Sequence, residues 1–221
     1  MSSSLSPSQK SLIVHSTTIG ALKFGSFTLK SGRQSPYFFN SSLLSTGPAL
    51  AALATALADT IIQAGWEFDV LFGPAYKGIS LAAITVVELN RRGVDVGMAY
   101  DRKEAKDHGE GGLLVGVPMN GKRVVIVDDV MTSGKAIRGA LDCVAGAGGS
   151  VAGVVQILDR QEVGQQGNGS TVTELETLLG AGTVKAILQM QDLLGWLEHE
   201  GQPEQLAAMK AYWEQYGVKN E

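Results

Sequence analysis

The sequence of 221 residues contains a single cysteine, Cys143, so no disulfide can form within the chain. Chains without disulfides are typical of reducing compartments. Residues 1–10 are polar and lack both the apolar run of a signal peptide and the arginines of a transit peptide. No apolar stretch approaches the roughly 20 residues that a bilayer-spanning helix needs. We therefore expect a soluble, cytoplasmic protein.

Positive charge is also in short supply. The 18 lysines and arginines are outnumbered by 22 aspartates and glutamates, which gives a formal net charge of −4. This balance argues against an electrostatic grip on nucleic acid or on an anionic membrane, so any basic site must be local. Hydrophobic residues make up 44% of the chain, which is enough for one large domain, or a core with a small cap, to bury its interior.

Short apolar runs alternate with helical patterns through the middle of the chain. Residues 124–127 are four consecutive β-forming residues, which is typical of a strand buried on both faces of a parallel sheet. The repeated order of strand and helix predicts an α/β fold with a mostly parallel, doubly wound sheet. The predicted strands are 70–72, 94–100, 124–127 and 151–158, and the predicted helices are 49–64, 79–91 and 136–144.

The two ends of the chain have different patterns. Residues 10–21 have a helical pattern, and residues 24–39 are typical of extended segments with a turn at Ser31-Gly32. The tail has helical patterns that are interrupted at Gly201 and Pro203. We therefore predict a single domain in three parts: an N-terminal hood at about 1–45, an α/β core at about 46–188, and C-terminal helices at about 189–221.

The most informative segment follows the apolar run 124–127. Two carboxylates, Asp128 and Asp129, end the predicted strand, and a Thr/Ser/Gly loop then opens a helix. Such a loop offers backbone N–H groups, hydroxyls and a helix N-terminus to a phosphate monoester. The aspartates would repel that phosphate, but they suit ribose hydroxyls and could help to hold a hydrated Mg²⁺. The alternative, an ordinary turn with an aspartate cap, does not explain two adjacent carboxylates after a buried strand.

This segment resembles the signature of the type I phosphoribosyltransferases. The resemblance implies that Asp128 and Asp129 contact the ribose and that the following loop binds its 5′-phosphate. Lys135 departs from the pattern, since the family usually has a small hydroxyl residue there. The residues that the resemblance assigns to this part of the substrate site are Val130, Met131, Thr132, Ser133, Gly134, Lys135 and Ala136.

Residues 100–112 are rich in cations and end in glycines. Arg102, Lys103, Lys106 and His108 lie within seven residues. A mobile cationic loop suits a diphosphate, although the composition alone slightly favours an ordinary solvated loop. The string resembles the catalytic loop of orotate phosphoribosyltransferases, which reads roughly R-K-x-x-K-x-H-G. The resemblance implies that these four side chains contact the diphosphate and that the loop, 102–112, enters the partner subunit's site in a homodimer.

Three further segments resemble the same family. Residues 27–40 match its L-K-S-G-x-x-S-P-x-[YF]-F motif, although the pattern alone favours core aromatics and a surface lysine. The segment 73–78, with Gly and Pro punctuation, matches its pyrophosphate loop, and Arg160 follows the strand predicted at 151–158. The resemblance implies that Lys30, Phe38 and Phe39 line the orotate and phosphoribosyl site, that Tyr76 and Lys77 belong to the pyrophosphate loop, and that Arg160 and Thr132 bind orotate.

Five segments therefore match the family in the right order, from about residue 30 to residue 160. The resemblance implies an orotate phosphoribosyltransferase, with Mg²⁺ as cofactor and orotate and phosphoribosyl pyrophosphate as substrates. Two alternatives stay open from the residues: a purine phosphoribosyltransferase, and a regulator that binds phosphoribosyl pyrophosphate without turning it over. As catalytic residues we predict Lys103, Lys106, Asp128 and Asp129, with Lys106 the most rate-sensitive.

Overall fold

The computed structural model describes residues 5–29, 31–106, 112–131, 134–164 and 169–218, and for residues 105 and 106 it describes the backbone alone. The described residues form a six-stranded sheet flanked by helices, with a separate two-stranded hairpin near the N-terminus. The strands are β1 (Leu22–Thr28), β2 (Gln34–Phe39), β3 (Val70–Gly73), β4 (Gly97–Lys106), β5 (Gly112–Gly116), β6 (Arg123–Asp128), β7 (Ser150–Asp159) and β8 (Val184–Gln189).

Seven α-helices surround these strands in the described part of the chain. Helix α1 begins with a capping box, in which the Ser6 side chain and the Gln9 side chain each accept a hydrogen bond from the other residue's backbone N–H. Helix α2 ends at Gly65, whose φ of 67° is the left-handed conformation that favours glycine. The helices are α1 (Pro7–Thr18), α2 (Gly47–Ala64), α3 (Lys77–Arg91), α4 (Lys135–Gly146), α5 (Thr171–Leu179), α6 (Met190–His199) and α7 (Pro203–Tyr216), and a short 3₁₀ helix spans Ser41–Leu43.

The large sheet has the strand order β5-β4-β3-β6-β7-β8. Strands β4, β3, β6, β7 and β8 are parallel, and β5 is an antiparallel edge strand. This arrangement confirms the predicted fold class. Because β4 follows β3 on one side of it and β6 lies on the other side, the winding of the sheet reverses between β3 and β6.

The core has one apolar layer on each face of this sheet. In β6, Val125 and Val127 join the layer that also contains residues of α1, α2, α3, α6 and α7. Val124 and Ile126 point the other way and pack with residues of α4 and α5. All four side chains are fully buried, as expected for a parallel strand covered on both faces.

The hairpin β1–β2 forms the hood that we predicted near the N-terminus. Its strands are antiparallel, with an irregularity between Phe24 and Phe27. The Phe24 ring stacks on Trp196 of α6 with the ring centroids 6.1 Å apart, and β2 also contacts α7. The hood is therefore attached to the C-terminal helices, while the division of the chain into three parts stays a prediction.

The structure corrects several predictions of local structure. Helix α1 spans Pro7–Thr18 instead of residues 10–21, and strand β8 and helix α5 were not predicted. Strand β4 spans Gly97–Lys106 instead of residues 94–100, and it pairs with β5, which was not predicted either. Helix α3 begins at Lys77, two residues earlier than predicted. Helix α2, with 18 residues and a mean hydropathy of 1.3, is long and apolar enough to cross a membrane, contrary to our expectation. In the structure it packs against α1, α3, β7 and β8.

Candidate active site

The carboxyl ends of β3, β6 and β7 lie side by side at one edge of the sheet. The residues that follow these strands are Pro74, Asp129 and Arg160, respectively. In open α/β sheets, ligands bind in the crevice beyond the carboxyl ends of the strands, where the winding reverses. The winding reverses between β3 and β6, so the topology predicts a ligand site around Lys77 and Asp129.

Three side chains meet at this point with Asp128 beside them, and we call the four residues the acidic crevice: Ser41, Lys77, Asp128 and Asp129. The Lys77 ammonium lies 2.5 Å from Asp129 Oδ2, and it also donates to Ser41 Oγ at 3.0 Å. Ser41 Oγ in turn donates to the same Asp129 oxygen at 2.7 Å. The crevice thus joins the turn after β3, the end of β6 and the 3₁₀ helix that follows the hood.

Two glycines allow the turn after β3 to approach β6 so closely. A Cβ atom on Gly73 would lie 2.0 Å from the carbonyl oxygen of Gly78. A Cβ atom on Gly78 would lie 2.9 Å from the carbonyl oxygen of Val127 in β6. Backbone atoms cannot move aside as flexible side chains do, so both positions need glycine. This approach brings Lys77, the first residue of α3, within reach of Asp129.

The adjacent carboxyl groups have opposite pKa shifts. Burial, together with the negative charge of Asp129, raises the pKa of Asp128 to about 6, although a hydrogen bond from the Asp129 backbone N–H acts to lower this pKa. Burial also acts to raise the pKa of Asp129, but hydrogen bonds from Lys77 and Ser41 outweigh it and bring the pKa below its usual value. At neutral pH Asp129 is therefore firmly ionised, whereas Asp128 can exchange a proton near pH 6.

The loop after the acidic pair is anchored to β7. The carbonyl oxygen of Asp129 accepts a hydrogen bond from the Ile157 N–H at 2.8 Å. The Met131 N–H donates to the buried side chain of Gln156 at 3.0 Å. Thr132 and Ser133 lie outside the described residues. Beyond them, Gly134 takes a left-handed φ of 68° and caps α4, whose first two residues, Lys135 and Ala136, are exposed.

The cationic segment begins in β4. The side chain of Asp101 accepts a hydrogen bond from the Ala75 N–H at 2.5 Å, which ties β4 to the turn after β3. Lys103 is exposed, and its Nζ lies 4.0 Å from Asp101 Oδ2. The positive charge of Lys103 also acts to lower the pKa of Asp128. Arg102 is half-buried in the same strand. The side chain of Lys106 and the whole of His108 lie outside the described residues.

A second group of side chains, which we call the arginine cluster, lies beyond β7. It consists of Arg33, Ser35, Tyr37, Arg160 and Glu162. The Arg160 guanidinium lies over the Tyr37 ring, 4.3 Å from its centroid. Its Nε donates to Glu162 Oε1 at 2.7 Å, and its Nη2 donates to Ser35 Oγ at 3.0 Å. The Arg160 side chain is only 12% exposed, so the cluster is a buried connection between β7 and the hood.

The remaining predicted site residues have different degrees of exposure. Phe38 is 40% exposed and its ring packs beside that of Phe27. Phe39 is half-buried and packs against the apolar core. Tyr76 is 73% exposed in the turn after β3. Lys30 lies outside the described residues. The assignment of these residues to the substrate site stays a prediction.

Several polar residues around these two groups were not predicted as site residues: Ser41 of the crevice, Asp101 beside it, and Arg33, Ser35, Tyr37 and Glu162 of the cluster. Ser41 and Asp101 contact the residues around the switch in winding, and Glu162 contacts Arg160. Ser41 lies in an ordinary Asn-Ser-Ser string, and Asp101 precedes the more conspicuous cations. Glu162 follows Arg160 by two residues, which was the one available signal, because a buried arginine needs an acidic partner.

The fit of the crevice's carboxyl groups to the predicted Mg²⁺ depends on the number of side chains that could bind the ion. In the part of the chain that the structure describes, no group of three or more side chains could by itself hold a metal ion. Mg²⁺ usually keeps several waters and binds through one or two carboxylates plus substrate phosphates. Asp128 and Asp129 fit that limited role, in which the substrate supplies most of the oxygen ligands.

Comparison with known proteins agrees with this geometry. Residues 40–167 match the phosphoribosyl transferase domain family, which covers more than half of the chain. The chain is 54% identical over 203 residues to an orotate phosphoribosyltransferase of Aeromonas salmonicida, covering 89% of this chain and 92% of that protein. It is 46% identical over 216 residues to the orotate phosphoribosyltransferase of Salmonella arizonae, covering 97% of this chain and 100% of that protein.

A solved structure supports the same relationship at the level of the fold. The crystal structure of orotate phosphoribosyltransferase from Francisella tularensis superposes with a TM-score of 0.85 at 36% identity, covering 93% of this chain and 98% of that chain. The family match, the high coverage of the relatives and the shared fold all agree. The chain therefore belongs to the phosphoribosyl transferase domain family, and within it to the orotate phosphoribosyltransferases.

Proposed function

We propose that this chain transfers the ribose 5-phosphate of phosphoribosyl pyrophosphate to N1 of orotate. The N1–C1′ bond forms, the bond from C1′ to the diphosphate oxygen breaks, and orotidine 5′-phosphate and pyrophosphate result. The observation that carries this proposal is the acidic crevice. Two adjacent carboxyl groups end a buried strand where the winding reverses, and a loop leading into a helix follows them.

In this proposal the acidic crevice binds the ribose. Asp128 and Asp129 accept hydrogen bonds from the ribose hydroxyls, and residues 130–136 surround the 5′-phosphate at the start of α4. The ionised Asp129 also lies near the positive charge that develops on the ribose as the diphosphate leaves. No covalent intermediate with the enzyme is required, so most of the rate enhancement comes from positioning and electrostatics.

The diphosphate is assigned to the cations on the other side of the crevice. Tyr76 lies in the turn after β3, Lys77 begins α3, and Lys103 lies close enough to Asp128 to influence its pKa. Lys77 and Lys103, together with Arg102, Lys106 and His108, would neutralise the leaving group, and Tyr76 would line the same site. Mg²⁺, when bound with the substrate, supplies further neutralisation of the diphosphate charge.

The base is assigned to the side of the crevice that faces the hood. Arg160 follows β7, the strand next to β6, and its planar guanidinium suits a carboxylate. Lys30, Phe38 and Phe39 of the hood segment, and Thr132, complete the proposed base site. Only a base that carries a carboxylate would use Arg160 in this way, and this distinguishes orotate from purines and from uracil.

A homodimer and a cytoplasmic location are also parts of the proposal. The resemblance to the family supports a homodimer in which residues 102–112 would enter the partner subunit's site. If so, mixing Lys106→Ala subunits with Asp129→Asn subunits should give more activity than either variant alone, because one hybrid site has both residues intact. If the mixture stays as inactive as its parents, although subunits exchange, the shared loop is wrong.

The direct test follows orotate absorbance in the presence of phosphoribosyl pyrophosphate and Mg²⁺, with adenine, hypoxanthine and uracil in parallel reactions. We expect consumption of orotate alone, and we expect Lys106→Ala to abolish it. Nucleotide formation from adenine or hypoxanthine would indicate a purine enzyme. Binding of phosphoribosyl pyrophosphate without turnover of any base would contradict the enzymatic function and favour a regulator.

A further inference from the structure

Glu162 lies between two arginines at the base of the hood. Its Oε1 accepts the hydrogen bond from Arg160 Nε at 2.7 Å, and its Oε2 lies 3.1 Å from Arg33 Nη1. Both arginines and Glu162 are largely buried, with 12%, 18% and 14% of their side chains exposed. A single carboxylate therefore supports two buried guanidinium groups.

The partners of Arg160 fix the plane of its guanidinium group. The Tyr37 ring covers one face, Glu162 holds Nε, and Ser35 holds Nη2. These two hydrogen bonds leave further N–H donors on the guanidinium for another acceptor. An arginine held in this way can bind a carboxylate without first losing its rotamer freedom.

The backbone that bears Glu162 is itself held by the C-terminal end of α7. The Val163 N–H donates to the Tyr216 carbonyl at 2.9 Å, and the Val218 N–H donates to the Gln161 carbonyl at 2.8 Å. Arg33 also lies over the Tyr216 ring, 4.7 Å from its centroid. The position of Glu162 is thus determined by the hood and the C-terminal helix together.

We propose that Glu162 is a positioning residue that orients Arg160 toward the carboxylate of the base and so determines the preference for a carboxylated pyrimidine. The inference rests on the proposed function, since it needs Arg160 to meet orotate. Glu162 itself does not contact the substrate. Its effect is carried by the Nε hydrogen bond and by the charge that balances the two arginines.

The test is Glu162→Gln, which keeps the size of the side chain and one acceptor oxygen but removes the charge. Its amide NH₂ would also face one of the two arginines and repel it. We expect KM for orotate to rise about tenfold, as a charge-assisted hydrogen bond becomes a neutral one. KM for phosphoribosyl pyrophosphate should stay within about twofold, because its proposed contacts lie in the acidic crevice.

The matched control is Glu67→Gln. Glu67 pairs with Arg123 at the amino end of β6, the end opposite to the proposed site, and its side chain is 86% exposed. It should leave both KM values unchanged. An equal rise of both KM values in Glu162→Gln would indicate a merely structural role, and an unchanged KM for orotate would also overturn the inference.

A second variant keeps the inference testable if Glu162→Gln does not fold. Ser35→Ala removes the partner of Arg160 Nη2 and should raise KM for orotate about threefold, again without changing KM for phosphoribosyl pyrophosphate. An unchanged KM for orotate in this variant would count against the inference. Failure of the proposed function is distinguishable, because then the unmodified enzyme would not consume orotate at all.

Discussion

The acidic crevice and the arginine cluster are both charged, but they are built differently. In the crevice, Lys77 is 50% exposed while its partner Asp129 is 17% exposed. In the cluster, Arg160 and Glu162 are both nearly buried, at 12% and 14%. If a ligand displaces the exposed Lys77, Asp129 keeps the hydrogen bond from Ser41 and can accept another from a hydroxyl of the ligand. Breaking the Arg160–Glu162 pair would leave a buried charge unpaired.

The difference in exposure suggests that the two regions bind different substrates. In the proposed function, the exposed Lys77 would leave Asp129 for a diphosphate oxygen, and a ribose hydroxyl would take its place beside Asp129. The arginine cluster is preorganised and is expected to keep its geometry when the base binds. Variants of the crevice should therefore affect phosphoribosyl pyrophosphate, and variants of the cluster should affect orotate.

The largest effect is expected from Asp129→Asn. The variant removes the proposed charged acceptor for the ribose and the partner of Lys77, so kcat/KM for phosphoribosyl pyrophosphate should fall on the order of 10² to 10³. Steady-state kinetics at saturating orotate would measure the loss. Asp69→Asn is the control, because Asp69 pairs with Arg123 at the other end of β6. A loss below tenfold in Asp129→Asn would mean that Asp129 does not act on the substrate.

Gly73→Ala should break the crevice through the backbone. The new Cβ would lie 2.0 Å from the Gly78 carbonyl oxygen, so β3 and α3 must separate. We expect a loss of about 1–3 kcal/mol in the free energy of unfolding, measured by urea denaturation. Gly139→Ala is the control, since Gly139 is an exposed position of α4 with open space around it. It should stabilise by about 0.5–1 kcal/mol. An unchanged free energy of unfolding in Gly73→Ala would refute the close approach of Gly73 to the Gly78 carbonyl.

The sequence predicted the crevice better than it predicted the cluster, and the reason is physical. Asp128 and Asp129 directly follow an apolar run of β-forming residues, so a local pattern places them at the end of a buried strand. Ser41 meets Asp129 across 88 positions, and Arg33 meets Glu162 across 129. Contacts of that separation are set by the packing of the hood on the core, which no local pattern encodes.

Two strands of the large sheet, β5 and β8, were not predicted, and both lie at its edges. Strand β5 lies at the edge of the sheet, where Leu113 and Leu114 are 51% and 38% exposed. Its three apolar residues stand between glycines and shortly after a charged segment, so its sequence also has the pattern of a loop. Strand β4 extends past residue 100 because it pairs with β5 there, whereas its sequence becomes charged. The central strands were predicted because burial on both faces requires apolar residues at every position.

The pH dependence distinguishes the two aspartates of the crevice. Burial raises the pKa of Asp128 to about 6, and only the ionised form accepts hydrogen bonds through both oxygens. We therefore expect kcat/KM for phosphoribosyl pyrophosphate to fall as the pH drops through about 6. The 5′-phosphate of the substrate titrates near the same pH, with a second pKa of about 6. Asp128→Asn distinguishes the titration of Asp128 from that of the substrate phosphate. It should remove the part of the activity loss at low pH that comes from protonation of Asp128. An unchanged activity loss at low pH in this variant would assign the whole dependence to the substrate.

The smallest effect is expected from Ser41→Ala, which leaves the charges of the crevice intact. The variant removes one neutral donor to Asp129 and one acceptor from Lys77, so KM for phosphoribosyl pyrophosphate should rise about threefold to tenfold. Ser45→Ala, in the exposed segment that follows, should change nothing. KM for orotate should stay constant in Ser41→Ala, the reverse of the result expected for Glu162→Gln. If Ser41→Ala raised KM for orotate as well, the two regions would be coupled through the hood, and the division between them would not hold.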